Sequence, residues 1–212
     1  MLISMGRQRM MSIRGLGELS NLSSLFLRTG LSEEVDMDVL NSSLAKLCNL
    51  EWLHIYSRNY WIPEALTFSP PSPNLLALDM KRSHVPSWIG ELHNLQTLYL
   101  TVEKLDKDGL GILAELPALI KLRLRFRRAL EETIAIDGAA FPVLKGLDIK
   151  WNSTPGRNLT FQAGGMPKLQ GLSLKLNAKE NATLSRASAS GITSAINMHP
   201  SHARITIDVI CF

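Results

Sequence analysis

Two cysteines in 212 residues, Cys48 and Cys211, cannot build the disulfide framework of a small secreted domain, and neither lies in a cluster that would staple one end of the chain. A reducing compartment is the simpler expectation. No run approaches the roughly 18 consecutive apolar residues that a membrane-crossing helix needs, and the opening MLISMGRQRMM has no apolar stretch long enough for the core of a secretory signal. Charge of either sign is not in large excess. Twenty-three basic and 19 acidic side chains leave a formal +4, too little for a nucleic-acid protein unless it is focused in one patch. The phosphate-binding run Gly-x-x-x-x-Gly-Lys-Ser/Thr is absent too, and Gly15-Leu-Gly17 and Gly109-Leu-Gly111 are isolated glycine pairs. Five Asn-x-Ser/Thr sequons begin at Asn21, Asn41, Asn152, Asn158 and Asn181; without a secretory signal they are chance matches to a short pattern.

Constellations that carry chemistry are equally scarce. His54 has no acidic or second histidine ligand near it at metal spacing and reads as a solvent-facing strand histidine, while His84, His93, His199 and His202 are scattered. Cys48, close before an apolar residue of the pattern below, reads as a small buried filler rather than a nucleophile. Glu33-Glu34 and Glu131-Glu132 are adjacent pairs whose side chains diverge, which suits a solvated surface better than acid/base work. The expectation is a non-enzyme with no catalytic residue, no cofactor and no metal.

What the chain does have is leucine at a fixed period. Leu95-x-x-Leu98-x-Leu100 is followed 24 residues later by Leu119-x-x-Leu122-x-Leu124, and the same triplet recurs as Leu22-Leu25-Leu27, Leu50-Leu53-Ile55, Leu75-Leu78-Met80, Leu144-Leu147-Ile149 and Leu169-Leu172-Leu174. Successive first leucines are 28, 25, 20, 24, 25 and 25 residues apart. Side chains two apart on a strand point the same way, and the earlier leucine sits at the turn into that strand beneath the same layer. One copy cannot bury three such side chains alone and needs a neighbour on each side. This is the pattern of a leucine-rich repeat. The predicted fold is an α/β leucine-rich-repeat solenoid, a horseshoe with a parallel sheet on the concave face and short helices, 3₁₀ turns and loops on the convex face.

The segments between triplets differ. Residues 36–47 and 106–116 place apolar side chains at helical spacing and predict outer helices. Ser69-Pro-Pro-Ser-Pro73 predicts an extended connector, because proline lacks the donor a helix needs. The 20-residue interval through Val85-Pro86-Ser87-Trp88-Ile89 leaves room only for a tight turn or a 3₁₀ piece, with Trp88 packed to close it. Pro117, Pro142 and Pro167 each stand two residues before a core leucine, at the turn where no ladder bond is lost. By this reading residues 1–15 are a frayed or truncated edge in which Met11-Ser12-Ile13 is at most a strand remnant. Residues 16–180 hold about seven repeats, and residues 181–212 form a capping helix and a strand around Ile205-Thr-Ile207-Asp-Val209. The first repeat strand is expected to be an exposed edge.

Residues flanking the inward leucines face solvent on the concave sheet, the usual binding face of such stacks. Phe26, Trp52, His54, Tyr56 and Tyr99 make an early aromatic patch, and Lys121, Arg123, Arg125, Lys150 and Lys175 a later basic one. Aromatic side chains with polar tips serve as anchors for protein partners, and the basic run Arg123, Arg125, Arg127, Arg128 would speed encounter with an acidic one. The rival is that other residues of a longer chain cover Phe26, Trp52 and Tyr56. Arginines alternating on consecutive strands suit a sheet face better than a nuclear-targeting or nucleic-acid patch.

The stretches VPSWIGELHNLQTLYLTVEKL, GILAELPALIKLRL, FPVLKGLDI, AGGMPKLQGLSL and AINMHPSHARITIDV, in this order, resemble the C-terminal leucine-rich repeats of plant coiled-coil nucleotide-binding disease-resistance proteins of the grass type. The resemblance covers roughly residues 16–210. It implies a recognition module of an intracellular immune receptor, one that senses a pathogen effector or a guarded host protein, or contacts the receptor's own other domains, and restrains the receptor's switch. It implies a cytoplasmic or nucleo-cytoplasmic location and no membrane span. The family's nucleotide-binding module has no counterpart here, and Met198-His199-Pro200 lacks the aspartate of its methionine-histidine-aspartate switch motif, so the chain reads as a truncated member. A leucine-rich-repeat scaffold unrelated to immunity is the alternative; an extracellular receptor is disfavoured by the missing signal and capping cysteines.

Overall fold

Each leucine triplet places three apolar side chains on one side of a short extended segment, and that side finds a neighbour in the segment one repeat away. The computed structural model describes residues 2–5, 15–29, 37–57, 62, 64–68, 71–127, 134–136, 140–151, 159–161, 166–176 and 206–211. The triplets become β2 (Ser24–Thr29), β3 (Trp52–Ser57), β4 (Ala77–Arg82), β5 (Thr97–Val102), β6 (Lys121–Phe126), β8 (Gly146–Trp151) and β10 (Gly171–Leu176). With β1 (Leu2–Met5) and β11 (Thr206–Cys211) at its ends they form a nine-stranded sheet in the order β1-β2-β3-β4-β5-β6-β8-β10-β11, with every pair parallel.

Register is fixed by the leucines. Leu25 lies opposite Leu53, Leu53 opposite Leu78, and so on through Leu98, Leu122, Leu147 and Leu172. These side chains are at most 2 % exposed, and so are the first leucines from Leu50 to Leu169. At about 1.5–3 kcal/mol for each fully buried leucine, this row is what holds the stack together. Leu22, the outermost first leucine, is only partly buried. The turns into the strands are tied by a repeated backbone device in which one carbonyl takes two N–H groups from the next repeat. Ser23 accepts from Glu51 and Trp52, Leu76 from Gln96 and Thr97, and Lys145 from Gln170 and Gly171.

Behind the sheet the repeats diverge. Met37–Ala45 forms α1 and Lys107–Ala114 forms α2, both at the expected places, and Ser87–Glu91 is a 3₁₀ turn. Asp106 caps α2 by accepting from the Gly109 N–H at 2.8 Å. Later in the chain two three-residue strands, β7 (Ile134–Ile136) and β9 (Leu159–Phe161), pair in parallel as a separate small sheet. The fold is an α/β leucine-rich-repeat solenoid whose sheet is open.

Three particulars depart from the sequence reading. Residues 1–15 were expected to be a frayed edge, yet Leu2–Met5 pairs with β2 from Leu2↔Phe26 to Met5↔Thr29, so β2 is not the outermost strand. The β-strands behind the later repeats were not anticipated, because three residues are too few for an alternation to show. Cys48 is exposed rather than a buried filler: it stands on the turn, where its carbonyl is used and its side chain is not needed by the core. The capping helix expected ahead of Ile205 and the remnant at Met11-Ser12-Ile13 lie outside the described residues.

Candidate protein-binding face

Parallel pairing in register turns a sequence period into rows. The middle outward position of each strand gives one row, Phe26, His54, Asp79, Tyr99, Arg123, Asp148 and Ser173, running across β2, β3, β4, β5, β6, β8 and β10. A second row gives Lys81, Thr101, Arg125, Lys150 and Lys175 across β4 to β10. The row on the other side includes Trp52, Ala77, Thr97 and Lys121. Nine of the residues singled out in the sequence fall in these rows, Tyr56 lies two residues after His54 on the same strand opposite Arg28, and the rows show which of them meet.

The aromatic half is a connected stack. The Phe26 and His54 rings lie 4.3 Å apart and nearly parallel at 8°, and Tyr56 stacks beyond His54 at 6.5 Å. Phe26 is half-buried by this contact, whereas Trp52 is 53 % and Tyr56 43 % exposed. The small Ala77, buried on β4, leaves room beside Trp52. The result is an open depression of about 340 Å³ bounded by Ser24, Phe26, Trp52, His54, Asp79 and Tyr99.

His54 does have an acidic neighbour. Its Nδ1 is 2.8 Å from Asp79 Oδ2, a partner 25 residues away that only the register could bring there. Partial burial pushes the Asp79 carboxyl above its usual range; His54 first, then the Arg125 and Arg123 guanidiniums, oppose the rise. Among the described residues no three His, Cys, Asp or Glu side chains could hold a metal ion.

The two halves meet at Tyr99. The Arg123 guanidinium lies over its ring at 4.8 Å and the Lys121 ammonium at 5.8 Å. Beyond it, Asp148 Oδ2 accepts from Arg123 Nε at 2.9 Å and from Lys175 Nζ at 3.1 Å. Asp79 and Asp148 were not among the residues singled out from the sequence, though each sits 25 residues after a member of the set, His54 and Arg123, at the same place in the repeat.

A third set missed in the sequence lies in the turns. Asn49, Asn74 and Asn94, each directly before a first leucine, donate their side-chain N–H to the carbonyls of Ser20, Cys48 and Pro73 in the preceding turn, at 2.9, 2.9 and 2.8 Å. Asn41, in one of the sequons, donates to the Ala65 carbonyl and accepts from the Thr67 N–H, so its amide is engaged in the fold. Arg82 occupies an inward position at 4 % exposure and donates to the carbonyls of Ile62 and Glu64. Burial lowers its pKa, with Glu64 opposing.

The leucine-rich repeat region family matches residues 1–211. Disease resistance protein RGA5 of Oryza sativa subsp. japonica is 28 % identical over 155 residues, a match that takes in 66 % of this chain and 14 % of that protein. The chain thus spans about one seventh of that relative's length. Among the described residues no helix is long and apolar enough to cross a membrane. With seven leucine triplets in one parallel register and a family match from end to end, the chain belongs to the leucine-rich repeat region family, and its repeats are similar to those of a plant disease resistance protein.

Proposed function

We propose that the chain is a non-enzymatic recognition module of a plant intracellular immune receptor, binding protein through the open face of its sheet. The observation that carries the reading is the stack of Phe26, His54 and Tyr56 with Trp52 and Tyr56 exposed, beside a cationic field on the later strands. Large exposed aromatics at the centre of a face are the usual anchors of protein interfaces. The likeness to a rice disease resistance protein supports the immune setting. The partner is then a pathogen effector, a guarded host protein or another domain of the receptor, and the site of action is the cytoplasm or the cytoplasm and nucleus. The sequence holds no phosphate-binding loop, so nucleotide-driven switching belongs to residues other than these, as in a truncated receptor. Residues 16–180 act as the repeat core, extended at one end by β1, and 181–212 as its cap, of which β11 is one strand.

The test is a binding screen of residues 1–212 against two pools, secreted pathogen effectors and the coiled-coil and nucleotide-binding portions of plant receptors. Each hit is repeated with the paired variants Trp52→Ala/Tyr56→Ala and Arg123→Glu/Arg125→Glu, with folding checked by circular dichroism. Binding weakened in both pairs supports the reading. Binding unchanged in both overturns it, and hits from neither pool leave the scaffold alternative standing in its place.

A further inference from the structure

The reading of this face as a protein-binding surface leaves the chemistry of its occupant open, and the geometry narrows it. We propose that the face takes an extended peptide segment carrying one aromatic side chain and, six residues further on, an acidic one. The aromatic group sits in the depression beside Trp52, and the acid lies over Arg125. Two concavities lie side by side on the sheet. The first, of about 340 Å³, falls in the size range of sites that hold one drug-sized or side-chain-sized apolar group. The second, of about 90 Å³, is lined by Thr101, Arg123 and Arg125 and shares Asp79 and Tyr99 with the first. A chain that leaves the first therefore passes directly over the second.

Charge complementarity sets the sign of the partner. The outward positions of β4 to β10 carry six cations, Lys81, Lys121, Arg123, Arg125, Lys150 and Lys175, against two acids. Both acids are engaged within the fold, Asp79 with His54 and Asp148 with Arg123 and Lys175. Arg125 lies opposite Lys150 on the neighbouring strand, and two like charges so placed favour an anion laid over Arg125. Arg125 is exposed, and no ion pair among the described residues uses it.

The spacing follows from strand geometry. From Trp52 on β3 to Lys121 in the same row on β6 there are three strand-to-strand steps of about 4.8 Å, or roughly 14 Å. Arg125 lies four residues, roughly 13 Å, further along β6, so the diagonal from Trp52 to Arg125 is roughly 20 Å. An extended peptide on this diagonal advances about 3.3 Å per residue, so residue i+6 reaches Arg125. The separation is even, so the anchor and the acid both face the sheet. Single-stranded nucleic acid fits less well. It needs stacking and cationic groups interleaved along its path, whereas here they are segregated, and Asp79 and Asp148 stand in the middle row where a phosphate chain would pass.

The test is fluorescence anisotropy with residues 1–212 and a labelled peptide Trp-Ser-Gly-Ser-Gly-Ser-Glu, compared with three others. One has Ala for Trp, one has the same composition with the acid at i+5, and one has Lys for Glu. A fourth probe is a labelled oligothymidylate of eight nucleotides. The expected result is binding about tenfold or more tighter for the first peptide than for each of the other three, equivalent to at least ~1.4 kcal/mol. It should weaken as salt rises and fall about tenfold again in Arg125→Glu, a variant that should melt no lower than the parent because Glu would face Lys150. Equal binding of the odd-spaced peptide overturns the proposal in favour of unspecific charge attraction, and tighter binding of the oligonucleotide overturns it in favour of a nucleic-acid surface. If no peptide binds while proteins from the screen still do, this inference falls and the recognition reading survives. If neither binds, both fall.

Discussion

Between β2 and β5 the turn into each strand carries an asparagine, and three of these bond back to the preceding turn; from β6 onward alanine, valine and lysine stand in that place at Ala118, Val143 and Lys168. The early face is aromatic and the later face cationic. The early back is α1 and a 3₁₀ turn, with α2 at the midpoint, while the later back holds the β7–β9 pair. Yet the inward rows stay apolar throughout, one with leucine opposite leucine from β2 to β10 and the other with Leu, Ile or Met at every place. The inward positions answer to two neighbours at once and tolerate little change. Turns, backs and outward positions answer to one neighbour or to solvent, and so can differ from one half to the other without altering the stack.

The sharpest way to break that comparison is to show that the early back is not a packed layer. Trp88 is 6 % exposed and meets Phe68 edge-on at 5.8 Å. Trp88→Ala should remove about 3–5 kcal/mol of stability in urea unfolding of residues 1–212. Trp88→Phe should cost far less, because the indole Nε1 has no partner to lose. A near-neutral Ala variant would mean that the early back contributes as little as an open loop.

Next in size is the junction of α2 with the 3₁₀ segment. A Cβ at Gly109 would stand 2.9 Å from Val85 Cγ2 and 3.0 Å from Asp106 Oδ1, against the cap itself. Alanine gains up to about 1 kcal/mol in helix propensity, but crowding of this kind costs about 1–3 kcal/mol. Gly109→Ala should therefore lower the melting temperature. Gly111→Ala, two residues on with nothing within 4 Å of its Cβ, should raise it.

These contrasts also show what could be read in the sequence. The triplets were legible because burial between two neighbours leaves the same residue type at the same place seven times, and α1, α2 and the 3₁₀ turn followed from apolar spacing and interval length. The outward positions were legible for the same reason, as the complement of the inward rows. Their pairings were not. His54 was read as having no acidic neighbour because Asp79 is distant in sequence, and the 2.8 Å contact exists only once β3 and β4 are in register. Adding one period to each outward position would have found it, and Asp148 beside Arg123 as well. Strands of three residues and a strand ahead of the first triplet repeat nothing, so β7, β9 and β1 had no period to betray them. Cys48 was misjudged because nearness to Leu50 in sequence was taken for nearness to the core.

The asparagine turns offer a smaller and more symmetrical test. Asn74→Ala removes the 2.9 Å bond to the Cys48 carbonyl and should cost about 0.5–1.5 kcal/mol. The mirror experiment writes the early device into the later half. In the ladder each asparagine reaches the carbonyl just before its predecessor, so Ala118→Asn should reach that of His93, which precedes Asn94. Thermal unfolding should show a gain of up to about 1 °C or no change. A loss as large as that of Asn74→Ala would mean that the turns of the two halves have different shapes, so that they are not one turn held by different side chains.

The smallest expected effect concerns Asp79, at the border between the halves. Its folded-state pKa is raised above 3.8, chiefly by burial. The folded chain therefore holds this proton more tightly than the unfolded chain, and the stability it contributes is full below about pH 3.8 and lost as pH rises through the folded value. Asp79→Asn has no such titration, and its amide oxygen can still accept from His54. The melting temperature of the variant minus that of the parent should consequently grow more positive as pH rises from below 3.8 through the folded value. The change should be small, since the carboxyl is 40 % exposed and solvent screens part of the effect. A difference that stays flat or falls would mean that water reaches the carboxylate freely. The depression beside Trp52 would then be an extension of the polar face, and the division between an aromatic and a cationic half would lie nearer β3 than Tyr99.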